Sequence, residues 1–303
     1  MKTCTSDYFQ IRDHRYHCRH WGNPDAPIIF MLHGWMDVGA SFQFVVDSLK
    51  QDWHVIAPDL RGFGLTTGPK TDSYWFPDYL ADLDALLLHY SPTQPVNLVG
   101  HSMGGNIVAI YAGIRPERIA KLVVLEGFGL PTTQATQAPK RYRKWLDELR
   151  TQPAMRPYAS VIEVAQRLQK TNPRLSDQKA AFLAQHWARE NAQGEWLILG
   201  DPAHKLTSPI LYRVEEVMAC WEQISAPVLW VEADDTDIWS WIGGKELGRP
   251  ETDRRLTHFK QLTSATITDA GHMLHHDQPE QLAARMEDFL SNPDVPAGKS
   301  ELL

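Results

Sequence analysis

The chain has 303 residues, a length that suits one large domain or a domain with a sizeable insertion. Hydrophobic residues make up 43% and charged residues 22%, a balance typical of a globular protein. Its net charge is −7 and no segment concentrates lysine and arginine, which argues against nucleic acid as a partner. The three cysteines are widely spaced, which argues against a disulfide framework. The sequence has neither an apolar run of about 18 residues, which argues against a membrane span, nor an apolar N-terminal segment, which argues against a leader peptide. We therefore expect a reduced, soluble, cytoplasmic protein.

Short apolar runs alternate along the chain with segments of helical periodicity, which predicts strands separated by helices. Strands are expected at residues 16–21, 28–32, 53–57, 96–99, 122–125, 228–232 and 266–268, and helices at 79–90, 106–115 and 278–290. Runs such as IIFML and KLVVL are almost continuously apolar, as in parallel strands that are buried on both faces. The sequence therefore predicts an α/β fold with a mostly parallel central sheet flanked by helices. A loose tail is expected at residues 291–303.

One region interrupts this alternation. Residues 131–221 contain no convincing series of strands, only amphipathic segments at 140–150, 160–169, 176–190 and 209–221. Because the sheet pattern continues on both sides, we expect an inserted helical lid rather than an independent domain. The expected organisation is a first core part at residues 1–130, the lid at 131–221, and a second core part with the C-terminal tail at 222–303.

The sequence Gly100-His101-Ser102-Met103-Gly104 lies between a predicted strand and a predicted helix. Glycines two positions before and two positions after a serine allow the tight strand-to-helix turn that exposes a nucleophilic hydroxyl. We therefore predict that Ser102 is a nucleophile.

A second motif, His33-Gly34-Trp35, directly follows the strand predicted at residues 28–32. Acyl transfer builds negative charge on a substrate oxygen, which backbone N–H groups can stabilise if they are positioned beforehand. The expected donors of this oxyanion hole are the N–H groups of Trp35 and Met103. His33 is expected to hold the loop rather than to act as a base.

The general base is expected at His272, just past the last predicted strand, because histidine can accept the serine proton near neutral pH. His275 and His276 follow closely, and the segment HMLHHD offers several kinds of metal ligand, so a metal site is the competing interpretation. The sequence lacks an HExxH spacing, and the order serine, acid, histidine fits a triad. We therefore expect neither a metal nor a cofactor.

Taken in chain order, the segments MLHGW, APDLRGFG, LVGHSMGG, PVLWVEADDTD and DAGHMLHHDQPE resemble the motif series of α/β-hydrolases, and more narrowly their small esterase-like and serine-hydrolase-like members. The resemblance covers nearly the whole chain except residues 131–221. It implies the α/β-hydrolase fold and a catalytic triad. Haloalkane dehalogenases and epoxide hydrolases share the architecture but carry aspartate at the position of Ser102, which argues against both activities.

The chain departs from this family pattern at the acid of the triad. Many members carry an aspartate a few residues past the strand predicted at 228–232, where the simplest alignment places Thr236. Asp235 or Asp237 fits if the loop shifts by one residue, and Glu126, at the end of the preceding core strand, is a rival. Both locations stay open, with a narrow preference for Asp237 over Asp235.

The sequence thus predicts a carboxylesterase-like serine hydrolase that cleaves an ester-like bond of a small, apolar substrate through an acyl-enzyme. Alternatives within the fold are a carbon–carbon bond hydrolase and a cofactor-free haloperoxidase. A relative that binds a ligand without catalysis, or a protein whose lid helices mediate assembly, are alternatives from other functional classes. The sequence makes no prediction of the oligomeric state.

Overall fold

The computed structural model describes residues 1–151, 153–242 and 244–292, apart from the side chains of Trp239 and Lys245. Almost all of the tail expected at 291–303 lies outside these residues. The strands are β1 (Cys4–Ile11), β2 (His14–Trp21), β3 (Ile28–Leu32), β4 (His54–Pro58), β5 (Val96–His101), β6 (Ile119–Leu125), β7 (Ala188–Glu190), β8 (Trp196–Ile198), β9 (Val228–Ala233) and β10 (Leu262–Ile267). The α-helices are α1 (Gln43–Ser48), α2 (Phe76–Tyr90), α3 (Met103–Ile114), α4 (Ala138–Thr151), α5 (Val161–Thr171), α6 (Asp177–Trp187), α7 (Val214–Trp221), α8 (Lys245–Leu256), α9 (Leu274–Asp277) and α10 (Pro279–Ser291).

Eight of these strands form one sheet in the order β1-β2-β4-β3-β5-β6-β9-β10. The β1–β2 and β2–β4 pairs are antiparallel, and all pairs from β4 to β10 are parallel. The carboxyl ends of β5, β6, β9 and β10 consequently lie along one edge of the sheet. This mostly parallel sheet with flanking helices confirms the predicted fold class.

The sheet separates two apolar layers, because successive side chains of a strand point to opposite faces. On β3, Phe30 and Leu32 pack in the layer that also holds α2, α3 and α7. Ile29 and Met31 of the same strand pack in the opposite layer with α1 and α10. Burial on both faces accounts for the nearly continuous apolar runs of the central strands.

Several elements at the edges of the sheet differ from the prediction. Strand β1, with the sequence CTSDYFQI, was not expected, because most of its side chains are exposed and polar. Strand β10 begins at Leu262 rather than at residue 266, and its outer position leaves it half-exposed. Helix α8 was also missed, since its sequence KELGRPETDRRL lacks an apolar stripe and contains Pro250.

Residues 131–221, called the insertion below, lie between β6 and β9, which pair directly with each other. The insertion contains α4 to α7 and, contrary to the expectation of a region without strands, the short antiparallel pair β7–β8. Apolar side chains of α5 and α6 form a small cluster of their own, against which the core side chain Phe44 packs. Among the described residues, no helix has both the length and the apolar character required to cross a membrane.

Candidate active site

Ser102 sits at a sharp turn between the end of β5 and the start of α3. Its backbone has φ +51° and ψ −113°, a conformation that L-residues rarely adopt. The turn also brings backbone segments into contact, because a Cβ on Gly100 would lie 2.4 Å from the carbonyl oxygen of Gly104. A Cβ on Gly104 would lie 2.2 Å from the carbonyl oxygen of Leu32. The two glycines of the motif are therefore required by close backbone packing.

His272 lies in the loop between β10 and α9, with its Nε2 atom 3.0 Å from Ser102 Oγ. The carboxylate of Asp234, at the end of β9, holds this loop by accepting the N–H groups of Asp269 at 3.0 Å and Ala270 at 3.2 Å. The ring of Trp241 stands edge-on to the imidazole, with 5.0 Å between ring centroids. The histidine thus has a fixed position beside the serine hydroxyl.

Glu126 is the carboxylate beside the other nitrogen of His272, with Oε2 3.1 Å from Nδ1. It directly follows β6, has φ +53°, and is 1% exposed. Its Oε1 atom accepts the N–H of Ala233 at 2.7 Å, and its Oε2 atom also accepts the hydroxyl of Thr236 at 2.5 Å. Because a carboxylate can only accept here, His272 donates from Nδ1 and has Nε2 free to accept the serine proton.

This arrangement corrects the narrow preference for Asp237. Asp237 is exposed at the start of a short 3-10 helix, and Asp235 pairs with Arg174 of the insertion at 2.6 Å. The carboxyl ends of β6 and β9 are adjacent, so a side chain from either strand can approach the same histidine. The sequence analysis placed Thr236 where the family pattern has an aspartate, but it did not predict that the Thr236 hydroxyl donates to Glu126.

Trp35 and Met103 both line the cavity that contains Ser102 and His272. Met103 is the first residue of α3, and the first backbone N–H groups of a helix have no acceptor within the helix. The loop before Trp35 is held by His33, whose Nε2 accepts the N–H of Leu60 at 2.8 Å and whose Nδ1 donates to the Gly34 carbonyl at 2.7 Å. Burial lowers the pKa of His33, and its role in holding the loop stays a prediction.

The cavity over Ser102 has a volume of about 380 Å³ and includes Glu126, Phe128 and Trp241 in its lining. A second cavity of about 620 Å³ shares Trp35, Phe76, Met103 and Leu130 with the first. Residues of the insertion, among them Ile210 and Tyr212, form its far side. The two cavities are therefore adjacent, and their mostly apolar walls, together called the cleft below, extend from Ser102 to the boundary between core and insertion.

Residues 27–279 match the sequence pattern of the family described as alpha/beta hydrolase fold. The chain belongs to this family. Hydrolysis is the activity that this membership supports.

A serine hydrolase-like protein of Danio rerio is 26% identical to this α/β-hydrolase over 293 residues, which cover 92% of this chain and 87% of the relative. Serine hydrolase-like protein 2 of Homo sapiens is 23% identical over 282 residues, or 89% of this chain and 88% of the relative. Among solved structures, a thioesterase domain from the curacin biosynthetic pathway superimposes with a TM-score of 0.83 at 25% identity, covering 94% of this chain and 99% of the domain. The resemblance to serine-hydrolase-like members is thereby confirmed.

A cluster of buried polar side chains lies beside Ser102 in this hydrolase. Ligand atoms of Asp37, His101 and His275 all lie within 4.8 Å of one another. Burial lowers the pKa of His101 well below its ordinary value, and His275 and the catalytic-loop residue His272 lower it further. Burial alone would raise the pKa of Asp37, but contact with His275 and the nearby imidazoles of His276 and His33 lower it. Of the described residues, these are the ones arranged to hold a metal ion.

Proposed function

We propose that this hydrolase is a serine carboxylesterase that acts through an acyl-enzyme intermediate. The observation that carries the proposal is the continuous chain of contacts from Ser102 Oγ through His272 to Glu126, with distances of 3.0 and 3.1 Å. A serine hydroxyl is a weak nucleophile until an adjacent base takes its proton, and this contact chain supplies such a base.

In the first half of the proposed reaction, Ser102 Oγ attacks the ester carbonyl carbon while His272 Nε2 takes the hydroxyl proton. Collapse of the tetrahedral intermediate breaks the bond to the leaving alcohol, which receives that proton from His272. In the second half, His272 takes a proton from water, and the resulting hydroxide attacks the acyl-serine. Collapse releases the carboxylic acid and returns the proton to Ser102.

Glu126 is proposed to orient His272 and to stabilise its positive charge after it takes the proton. The carboxylate is suited to this because it is buried and fixed by the Ala233 amide and the Thr236 hydroxyl. A fixed buried carboxylate needs little reorganisation when the imidazolium forms.

The oxyanion is proposed to lie on the backbone N–H groups of Trp35 and Met103. Support comes from the presence of both residues in the lining of the cavity that holds Ser102 and from the start of α3 at Met103. The partial positive charge of a helix N-terminus favours negative charge at this position.

The substrate is proposed to be a small ester with an apolar acyl chain, because the cleft is lined mainly by aromatic and aliphatic side chains. We further propose that residues 131–221 act as a lid over this cleft. The fold similarity to a thioesterase domain fits chemistry at an acyl carbonyl.

A fluorophosphonate probe together with a series of p-nitrophenyl esters tests the proposal. The wild-type protein should be labelled covalently and should hydrolyse acetate and longer acyl esters, with kcat/KM rising as the chain fills the cleft. Ser102→Ala should lose labelling and at least about 10⁴-fold in kcat while keeping its Tm. Labelling and hydrolysis that persist in Ser102→Ala would contradict the proposal, and a protein inert to both reagents would favour a binding role.

A further inference from the structure

The buried cluster beside Ser102 contains polar atoms for which the described residues supply no hydrogen-bond partner. These atoms are Asp37 Oδ2, His101 Nδ1 and both ring nitrogens of His275. All three residues are at most 3% exposed. A buried polar atom that is left without a partner is unfavourable, so the cluster calls for a further group that satisfies several of these atoms at once.

The hydrogen bonds around the cluster leave each of its free atoms able to act as a ligand. His101 donates from Nε2 to the carbonyl oxygen of His272 at 2.8 Å, so its Nδ1 atom carries the lone pair. Asp37 Oδ1 accepts the N–H of Val38 at 2.8 Å, the indole N–H of Trp187 at 2.9 Å and the hydroxyl of Ser41. These donors fix the carboxylate and leave its Oδ2 atom free. Hydrogen bonds from neighbouring residues orient the carboxylate ligands of metal sites in the same way.

Distances within the cluster suit a small divalent cation. Asp37 Oδ2 lies 3.6 Å from His275 Nε2, which is too long for a hydrogen bond. Two ligands of a tetrahedral zinc ion, each about 2.0–2.1 Å from the metal, are separated by about 3.4 Å. Two imidazoles and one carboxylate are ligands that zinc accepts, and a fourth position would stay open for water.

The cluster borders the active site. Asp37 and His101 contribute to the lining of the cavity that holds Ser102, so the cluster lies directly against this cavity. Once bound, the ion would lie beside the space that a substrate must enter.

We propose that Asp37, His101 and His275 form a binding site for a divalent transition-metal ion such as Zn²⁺, and that its occupation inhibits hydrolysis. The site is not needed for the reaction itself. The inhibitory part of the inference rests on the proposed esterase function, whereas the binding part does not.

Visible absorption of Co²⁺, followed by displacement with Zn²⁺, tests binding without reference to activity. The experiment uses the full chain without an affinity tag, after treatment with EDTA and desalting. We expect one ion per chain and the absorption bands of a tetrahedral site. Asp37→Asn keeps the Oδ1 acceptor and replaces only the free oxygen, and it should weaken binding more than about tenfold. His275→Gln should do the same, so that the test survives if one variant fails to fold.

A half-buried histidine pair elsewhere in the core provides the matched control. His20 Nδ1 lies 3.1 Å from His54 Nε2, and His20 Nε2 lies 3.1 Å from Asp7 Oδ1, so this group offers the same kinds of side chain outside the proposed site. His54→Gln should leave cobalt binding unchanged. Absence of a bound ion, or binding that survives in Asp37→Asn and His275→Gln but is lost in His54→Gln, would overturn the proposed site.

Hydrolysis of p-nitrophenyl butyrate tests the inhibitory part. The rate of the wild-type protein should fall over the same zinc range as cobalt displacement and recover with EDTA. Zinc binding at the cluster with an unchanged rate would overturn inhibition. A protein that binds cobalt but never hydrolyses esters would instead contradict the proposed function and leave the metal site standing.

Discussion

The core and the insertion differ in how completely they bury their helices. Helix α3, which begins directly after Ser102, has ten buried residues among its twelve, whereas α4 of the insertion has fourteen residues and none of them buried. All three side chains of the contact chain, Ser102, His272 and Glu126, come from core segments that follow strands. The insertion supplies only the far wall of the cleft. The comparison fits the proposed division of roles, in which the reaction depends on the buried core and substrate access depends on the less buried insertion.

The two regions meet through many contacts, and two of them involve the side chain of Tyr74. Tyr74 of the core donates its hydroxyl to Asp201 of the insertion at 2.9 Å. His204 of the insertion stacks between the core rings of Phe63 and Tyr74, with ring centroids 3.9 and 3.7 Å apart. These contacts allow the roles of core and insertion to be tested separately.

Among the variants that compare core and insertion, the largest effect is expected from the core carboxylate. Glu126→Gln should lower kcat by about 10³-fold or more, because the amide cannot stabilise the imidazolium and can favour the wrong tautomer of His272. Steady-state kinetics with p-nitrophenyl butyrate measures the loss. Asp237→Asn is the matched control and should change kcat less than about threefold, since Asp237 is exposed. A severe loss in Asp237→Asn with an active Glu126→Gln would reverse the assignment.

The sequence was sufficient for the parts of the core where apolar runs and glycine spacing determine the geometry. Strands β3 and β5 and the turn at Ser102 belong to this class. It was insufficient for β1 and α8, whose polar sequences lack periodicity, and for β7 and β8, which are only three residues long.

The acid could not be chosen from the sequence for a topological reason. Candidate carboxylates follow both β6 and β9, and these strands are neighbours in the sheet. The left-handed backbone of Glu126 and the donors that fix its two oxygens hold its carboxylate beside His272. These features depend on residues more than 100 positions away along the chain, as the separation of 107 residues between Glu126 and Ala233 illustrates.

A smaller loss is expected at Thr236. Thr236→Val has nearly the same shape but lacks the hydroxyl that donates to Glu126 Oε2, so it should lower kcat about tenfold with little change in KM. Thr236→Ser should restore most of the rate, which a purely structural role of the methyl group would not produce. An unchanged kcat in Thr236→Val would show that the hydroxyl does not position Glu126.

A contact between core and insertion should affect KM instead. Tyr74→Phe loses the hydrogen bond to Asp201, and we expect KM for p-nitrophenyl butyrate to rise about two- to tenfold with kcat nearly constant. The reason is that this hydroxyl holds the insertion over the cleft and lies outside the contact chain of Ser102, His272 and Glu126. A drop in kcat with unchanged KM would contradict the proposed division of roles.

The smallest effect is expected on stability in mild acid. Burial lowers the pKa of His204 to about 3, and burial followed by the charge of Arg19 lowers the pKa of His186 to about 4. In the unfolded state these imidazoles take up protons near pH 6.5. Between about pH 6.5 and 4 the unfolded state therefore binds more protons than the folded state, so the stability of the folded state decreases as the pH is lowered.

Thermal unfolding at pH 7.5 and pH 5 measures this dependence. Tm should be several degrees lower at pH 5, and the difference should shrink in His204→Gln, which has no titrating ring. A Tm that is independent of pH over this range, or an unchanged difference in His204→Gln, would show that these insertion contacts do not couple to protonation.

The central claim is that the core forms an acyl-enzyme on Ser102. Rapid acid quenching of a reaction with p-nitrophenyl butyrate, followed by peptide mass spectrometry, tests it most directly. The account predicts one butyryl group on the peptide that contains Ser102, present during turnover and absent in Ser102→Ala. Turnover without any acylated peptide, or acylation of a residue other than Ser102, would contradict the account.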